Sequence, residues 1–193
     1  MNRWSDRLYA IVDAEAARNP EELAERALSI GCAALQLRAK RLDDQSLLAL
    51  AEQLNAACKR ANVPFIVNDR PDIAALIGAD GVHLGQDDMR ISEARDIVGP
   101  IDIGVSTHDL RQALEAEGGG ADRIAFGPVF VTATKENPDP VVGLKKLEEV
   151  SRRVSCPVVA IGGITPENAA QVLTHGAAQL AVISALPRFL MNN

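Results

Sequence analysis

Two acidic pairs punctuate the stretch "FIVNDRPDIAALIGADGVHLGQDD", residues 65–88. Asn68 and Asp69 follow one β-branched run, and Asp87 and Asp88 follow the next. Two carboxylates with no soft ligand nearby suit a hard cation such as Mg2+, which binds oxygen, keeps several waters and shares substrate phosphate oxygens. Asp69 and Asp88 are therefore candidate metal ligands. A plainer reading competes: Asp69 would cap a helix starting near Pro71, and Asp87 or Asp88 the helix after that.

Cations lie close by in the chain. In "LQLRAK", Gln36, Arg38 and Lys40 alternate with Leu35, Leu37 and Ala39, so the first three share one face of a strand. Arg presents a planar fork to phosphate oxygens and Lys a point charge. "TATKENPDP" adds Thr132, Thr134 and Lys135 in a loop. "AIGGITPENAAQVL" sets Gly162 and Gly163 between a buried strand and a helix start, a pattern that lets backbone N–H groups approach an anion. Ser184 ends the next apolar run. His83 reads as a rim or core histidine, and His108 and His175 as surface helix residues. Neither CxxC nor HExxH occurs, and nucleophilic catalysis has little support. The residues describe two anion subsites, one of backbone N–H groups near Gly163 and Ser184, the other of cations and a metal. One small phosphate would not need both.

These groups need a scaffold that brings them together. Eight strand candidates (8–12, 33–38, 64–68, 81–84, 101–106, 123–130, 157–163 and 179–185) alternate with amphipathic helix candidates. Four junctions, "SIGCAAL", "LIGADGV", "EGGGADRI" and "THGAAQL", run from helix end through Gly to strand. The repeating unit predicts a parallel α/β fold, and eight units predict a compact (β/α)8 TIM barrel in a single domain over 1–193. No GxGxxG follows the first strand, which removes the main argument for a dinucleotide-binding sheet. Active sites of the barrel gather at the carboxyl ends of its strands, where the candidate metal and anion-binding residues above fall. The opposite ends look bland. Only "LPRFLMNN" follows the last strand, so the closing helix should be short. The outer face beside strands eight and one is then expected to be bare unless a second copy, as in a homodimer, or the shortened or disordered tail covers it.

Composition narrows the partners. The 193 residues carry a net charge of −6 and 3% aromatics, which argues against nucleic acid. No run approaches a membrane span of ~20 apolar residues. Cys32, Cys58 and Cys156 are odd in number and widely spaced, as in a reduced cytoplasmic protein.

Taken in order, "LQLRAK", "VNDRPDIAALIGADGVHLGQDD", "GVSTH", "FGPVFVTATK", "AIGGITPENA" and "LAVISAL" resemble thiamine phosphate synthase (thiamine-phosphate pyrophosphorylase) from Leu8 to Leu186. The resemblance implies that hydroxymethylpyrimidine diphosphate and hydroxyethylthiazole phosphate are joined to thiamine monophosphate. On the same resemblance, pyrophosphate is expected to depart first and leave a stabilised pyrimidine cation. It further implies that Arg38, Lys40, Asn68 and Lys135 hold the diphosphate and that Asp69 and Asp88 bind Mg2+. Gln36 would recognise the pyrimidine, and Ser106 would lie near the reacting groups. Thr132 and Thr134 would contact the thiazole phosphate, with backbone donors at Gly163 and Ser184. The family usually reads Arg-Glu-Lys where this chain has Arg38-Ala39-Lys40, and the tail is short for it. Two alternatives stand beside this reading: a thiazole tautomerase, which would not need the metal-and-cation subsite, and a non-catalytic relative that binds thiamine phosphate.

Overall fold

The computed structural model describes residues 4–132 and 139–191. Eight parallel strands close into a barrel in chain order: β1 (Leu8–Asp13), β2 (Ala34–Arg38), β3 (Phe65–Asn68), β4 (Gly81–Leu84), β5 (Asp102–Thr107), β6 (Arg123–Phe126), β7 (Val158–Ile161) and β8 (Gln179–Val182). The helices between and after them are α1 (Pro20–Ser29), α2 (Asp44–Ala61), α3 (Pro71–Ile77), α4 (Ile91–Val98), α5 (Leu110–Gly118), α6 (Gly143–Arg153), α7 (Ala169–Thr174) and α8 (Leu186–Leu190). The expected (β/α)8 barrel is thus the observed one. No helix among the described residues is long and apolar enough to cross a membrane.

Strand alternation sorts the side chains into two layers. Leu8, Leu35, Leu37, Phe65, Val67, Val82, Ile103, Ile124, Phe126 and Leu180 face outward and form one core with the helices. Tyr9, Ile11, Ala34, Ile66, Val159 and Ala181 fill the barrel interior. The helices start where the chain supplies caps. Asn19 accepts the Glu22 N–H at 3.1 Å, Asp43 the Ser46 N–H at 2.9 Å, and Asp109 the Gln112 N–H at 2.8 Å.

Three expectations change. First, β6 stops at Phe126 rather than 130. Pro128 brings no N–H, and Val129 and Phe130 donate instead to the Ile161 and Gly162 carbonyls at 2.9 and 3.0 Å. Second, the lower end of the barrel is not bland. Arg123 binds both oxygens of Asp102 and donates to Gln179 Oε1 at 2.7 Å. Tyr9 is buried beside this network, and burial pushes its phenol far above its ordinary range. Third, what covers the face beside β8 and β1 is decided for the shortened tail. The five-residue α8 buries Leu186, Phe189 and Leu190, and the Phe189 ring meets buried Trp4 edge-on at 6.4 Å.

Candidate active site

The carboxyl ends of the strands open into a cavity of about 1620 Å3, lined by residues from all eight βα junctions. At ~300–1,000 Å3 for an ordinary small-molecule pocket, this one has room for more than one substrate. Its floor is set by inward strand positions. Gln36 is buried on β2 and donates through Nε2 to Asn68 Oδ1 at 2.8 Å, next door on β3. Arg38, two residues further along β2, is ion-paired with Asp13 at the end of β1. Lys40 lies past the strand, its Nζ 3.1 Å from Asp69 Oδ2.

Asp69 directly follows β3 with φ of +61°, in the left-handed region that few non-glycine residues adopt. Its N–H donates to the His83 carbonyl on β4 at 2.8 Å, which fixes the turn. The Asp69 carboxyl lies within hydrogen-bond reach of Asp88. Burial raises its pKa above the ordinary value, the Asp88 carboxyl adds to the rise, and Lys40 opposes both. Asp88 Oδ2 accepts the Gly85 N–H at 2.6 Å, and a β-carbon at Gly85 would sit only 2.9 Å from that oxygen. Neither acid caps a helix: the N-caps of α3 and α4 are Arg70 and Arg90. Asp87 is exposed on the cavity rim.

On β5, Ser106 Oγ lies 2.9 Å from His83 Nε2, and its carbonyl accepts from Gln86 Nε2 at 2.6 Å. His83 packs over Gly104, where a β-carbon would approach its Nδ1 to 2.8 Å. His83 is therefore a histidine of the mouth. His108 departs from expectation. It precedes α5 instead of lying on it, and lines the cavity. Its Nδ1 donates to the Gly127 carbonyl at 2.6 Å, and its Nε2 lies 3.4 Å from Asp139 Oδ2. One ring thus ties β5 to both ends of the β6–α6 connection.

Opposite lies the Gly162-Gly163 turn, with φ of +98° and +63°. Added β-carbons there would meet Pro128 at 2.5 Å and the Val131 carbonyl oxygen at 2.5 Å. Close packing of the β6–α6 connection against β7 thus already requires both glycines. The amides of Gly163 and Ser184 find no acceptor among the described residues, and both positions line the cavity. Thr132 lines it too, half-buried. Thr134 and Lys135 lie outside the described residues.

The structure brings Gln36, Arg38, Lys40, Asn68, Asp69, Asp88, Ser106, Thr132, Gly163 and Ser184 around one cavity. Asp13, Gln86 and His108 are among the polar members that sequence reasoning missed. Asp13 had a signal, an acid at the end of "LYAIVD" sharing a face with Tyr9 and Ile11. His108 had a weaker one, its place directly after the fifth strand, but "STHDL" reads equally well as a helix start.

The family model described as thiamine monophosphate synthase matches residues 8–186. A thiamine-phosphate synthase from Methanocella arvoryzae is 50% identical over 183 residues, covering 93% of this chain and 86% of the relative. Another from Chloroflexus aurantiacus is 43% identical, covering 93% and 84%. The solved thiamine phosphate pyrophosphorylase from Pyrococcus furiosus superposes with a TM-score of 0.87 at 32% identity, over 97% of this chain and 94% of that one. An N-acetylmannosamine-6-phosphate 2-epimerase from Clostridium perfringens shares the architecture alone, with a TM-score of 0.72 at 16% identity. Matched end to end in its barrel and at this level of identity, the chain belongs to the thiamine monophosphate synthase family of transferases.

Proposed function

We propose that the cavity joins a pyrimidine diphosphate to a thiazole phosphate by dissociative loss of pyrophosphate, with Mg2+ bound at Asp69 and Asp88. That the chain is a thiamine-phosphate synthase rests on its family; the assignment of metal, residues and steps is ours. The observation that carries it is the meeting of Asp69 and Asp88 beside Lys40, across the mouth from the amides of Gly163 and Ser184, which find no acceptor among the described residues.

The donor set fits the ion. Two facing carboxylates are hard oxygen ligands, and among the described residues no cluster of three or more His, Cys, Asp or Glu offers a closed cage. Mg2+ is commonly held by one or two carboxylates, with water and substrate phosphate oxygens completing the shell. Bound there, it would supply positive charge to the departing pyrophosphate.

The chain's own groups do the rest. Arg38, Lys40 and Asn68 hold the diphosphate, and Lys135 is assigned the same task. Gln36, fixed by Asn68, presents its remaining amide group to the pyrimidine. Ser106, fixed by His83 and Gln86, faces the reacting atoms. Thr132 and Thr134 with the Gly163 and Ser184 amides hold the thiazole phosphate, so that its ring nitrogen traps the pyrimidine methylene cation once the C–O bond has broken and pyrophosphate has left. The chemistry asks for leaving-group stabilisation and alignment more than for proton transfer. A cytoplasmic location belongs to this reading. Cys32, Cys58 and Cys156 are all free thiols, and burial pushes those of Cys32 and Cys58 up to about 12.

The test is incubation with both substrates and Mg2+. Thiamine monophosphate and pyrophosphate should appear in equal amounts and vanish with chelator. Turnover unaffected by chelator would remove the metal from the mechanism.

A further inference from the structure

Asp13 stands directly opposite Arg38 in the β1–β2 ladder, so both side chains enter the barrel at the same level. Asp13 is 5% exposed, and its two oxygens do different work. Oδ1 accepts the N–H groups of Glu15 and Ala16 at 3.1 and 3.0 Å, which ties it to the β1–α1 turn. Oδ2 takes the Arg38 guanidinium through Nη1. The backbones are locked together as well, with Ala14 N–H donating to the Arg38 carbonyl at 2.8 Å. An arginine on an open rim would sample many rotamers. Here a carboxylate that is itself held by backbone donors fixes one end of the fork. The guanidinium has five N–H donors in all, and those not taken by Asp13 have no other acceptor among the described residues and can serve the cavity beside Gln36, Asn68 and Lys40.

We infer that Asp13 is the positioning residue of the diphosphate subsite: it touches no substrate and acts by holding the Arg38 guanidinium toward the mouth. This rests on the reading of that subsite given above. It also means that removing Arg38 alone strands a buried carboxylate, so an Arg38 variant loses fold stability along with function unless Asp13 is neutralised too.

The experiment measures binding of inorganic pyrophosphate with Mg2+ by calorimetry, together with KM for each substrate. Asp13→Asn keeps an oxygen for the Glu15 and Ala16 amides but turns N–H groups toward the guanidinium. Its pyrophosphate Kd should rise about tenfold or more, as expected for losing one oriented charge-assisted contact. KM for the pyrimidine diphosphate should rise in parallel, while KM for the thiazole phosphate stays within about twofold. On an Arg38→Met background, adding Asp13→Asn should cost no further pyrophosphate affinity and should restore part of the thermal midpoint lost by Arg38→Met. This comparison decides the matter even if Asp13→Asn alone folds poorly. Equal increases in both KM values, an unchanged pyrophosphate Kd, additive losses in the double variant, or a wild type that fails to bind pyrophosphate would each overturn the inference. A wild type that binds pyrophosphate normally yet makes no thiamine monophosphate would sink the proposed reaction and leave the role of Asp13 standing.

Discussion

The carboxyls of Asp69 and Asp88 meet across the β3 and β4 ends, with the Lys40 ammonium 3.1 Å from the first. With Arg38 already engaged by Asp13, the described charges of this corner contain more acid than base. A diphosphate entering without a metal would meet net repulsion. A divalent cation reverses the sign. Pyrophosphate should therefore bind at least about a hundredfold more tightly with Mg2+ than without, a gain of order 3 kcal/mol. Calorimetry with and without chelator reads this directly, and equal affinities would disprove it.

The same pair sets a pH dependence. The Asp69 pKa is raised, chiefly by burial and then by Asp88. A raised acid favours the folded state while protonated; that contribution is present below its unfolded value of about 3.9 and is lost as pH rises through the folded value. At neutral pH the metal-free protein therefore carries the cost of an ionised, half-buried Asp69 and its repulsion by Asp88, offset only in part by Lys40. Asp88→Asn should raise its thermal midpoint at pH 7 while weakening Mg2+ binding. In the wild type, Mg2+ affinity should fall on acidification at a higher pH than for an ordinary carboxylate. A midpoint lowered by Asp88→Asn at pH 7 would contradict the repulsion.

His108 links Gly127 before the β6–α6 connection to Asp139 after it. Loosening both ends together should misplace what the connection carries, including Thr132. His108→Ala is expected to lower kcat by about 100-fold, the cost of a displacement of roughly 1 Å at a reacting centre. The circular dichroism spectrum should not change. Steady-state kinetics with both substrates saturating would check this, and a kcat within twofold of wild type would remove the ring from the site.

Ala39 stands where the resembling family usually has Glu, but its side chain packs toward the outer core and away from Arg38 and Lys40. Ala39→Glu should therefore change kcat/KM by no more than about threefold, in line with substitutions of under ~0.5–1 kcal/mol away from a site. A large gain would show that the missing carboxylate matters to the chemistry.

Phe189 is fully buried in a helix of only five residues. Phe189→Ala should cost about 3–5 kcal/mol, the usual price of emptying a large aromatic site. Urea unfolding would measure it. A loss below 1 kcal/mol would mean that the end of the chain does not seal the barrel.

Periodicity and punctuation in the sequence determined the barrel. Apolar runs of strand length, several of them reached through a Gly-containing turn from an amphipathic helix, leave few other ways to bury both faces of a parallel sheet. Parity within β2 put Gln36, Arg38 and Lys40 on one face, because side-chain direction along a strand is a local property. Pairings between strands were decided only by tertiary structure. Register set Asp13 opposite Arg38, the left-handed turn at Asp69 set its carboxyl against Asp88, and barrel closure brought His108 to the far side of the β6–α6 connection. The same holds for Gly162 and Gly163. Their sequence signals an anion turn, yet their need for small size comes from Pro128 and Val131, more than thirty residues away. Such contacts depend on how strands stack around a closed ring, which no local pattern encodes.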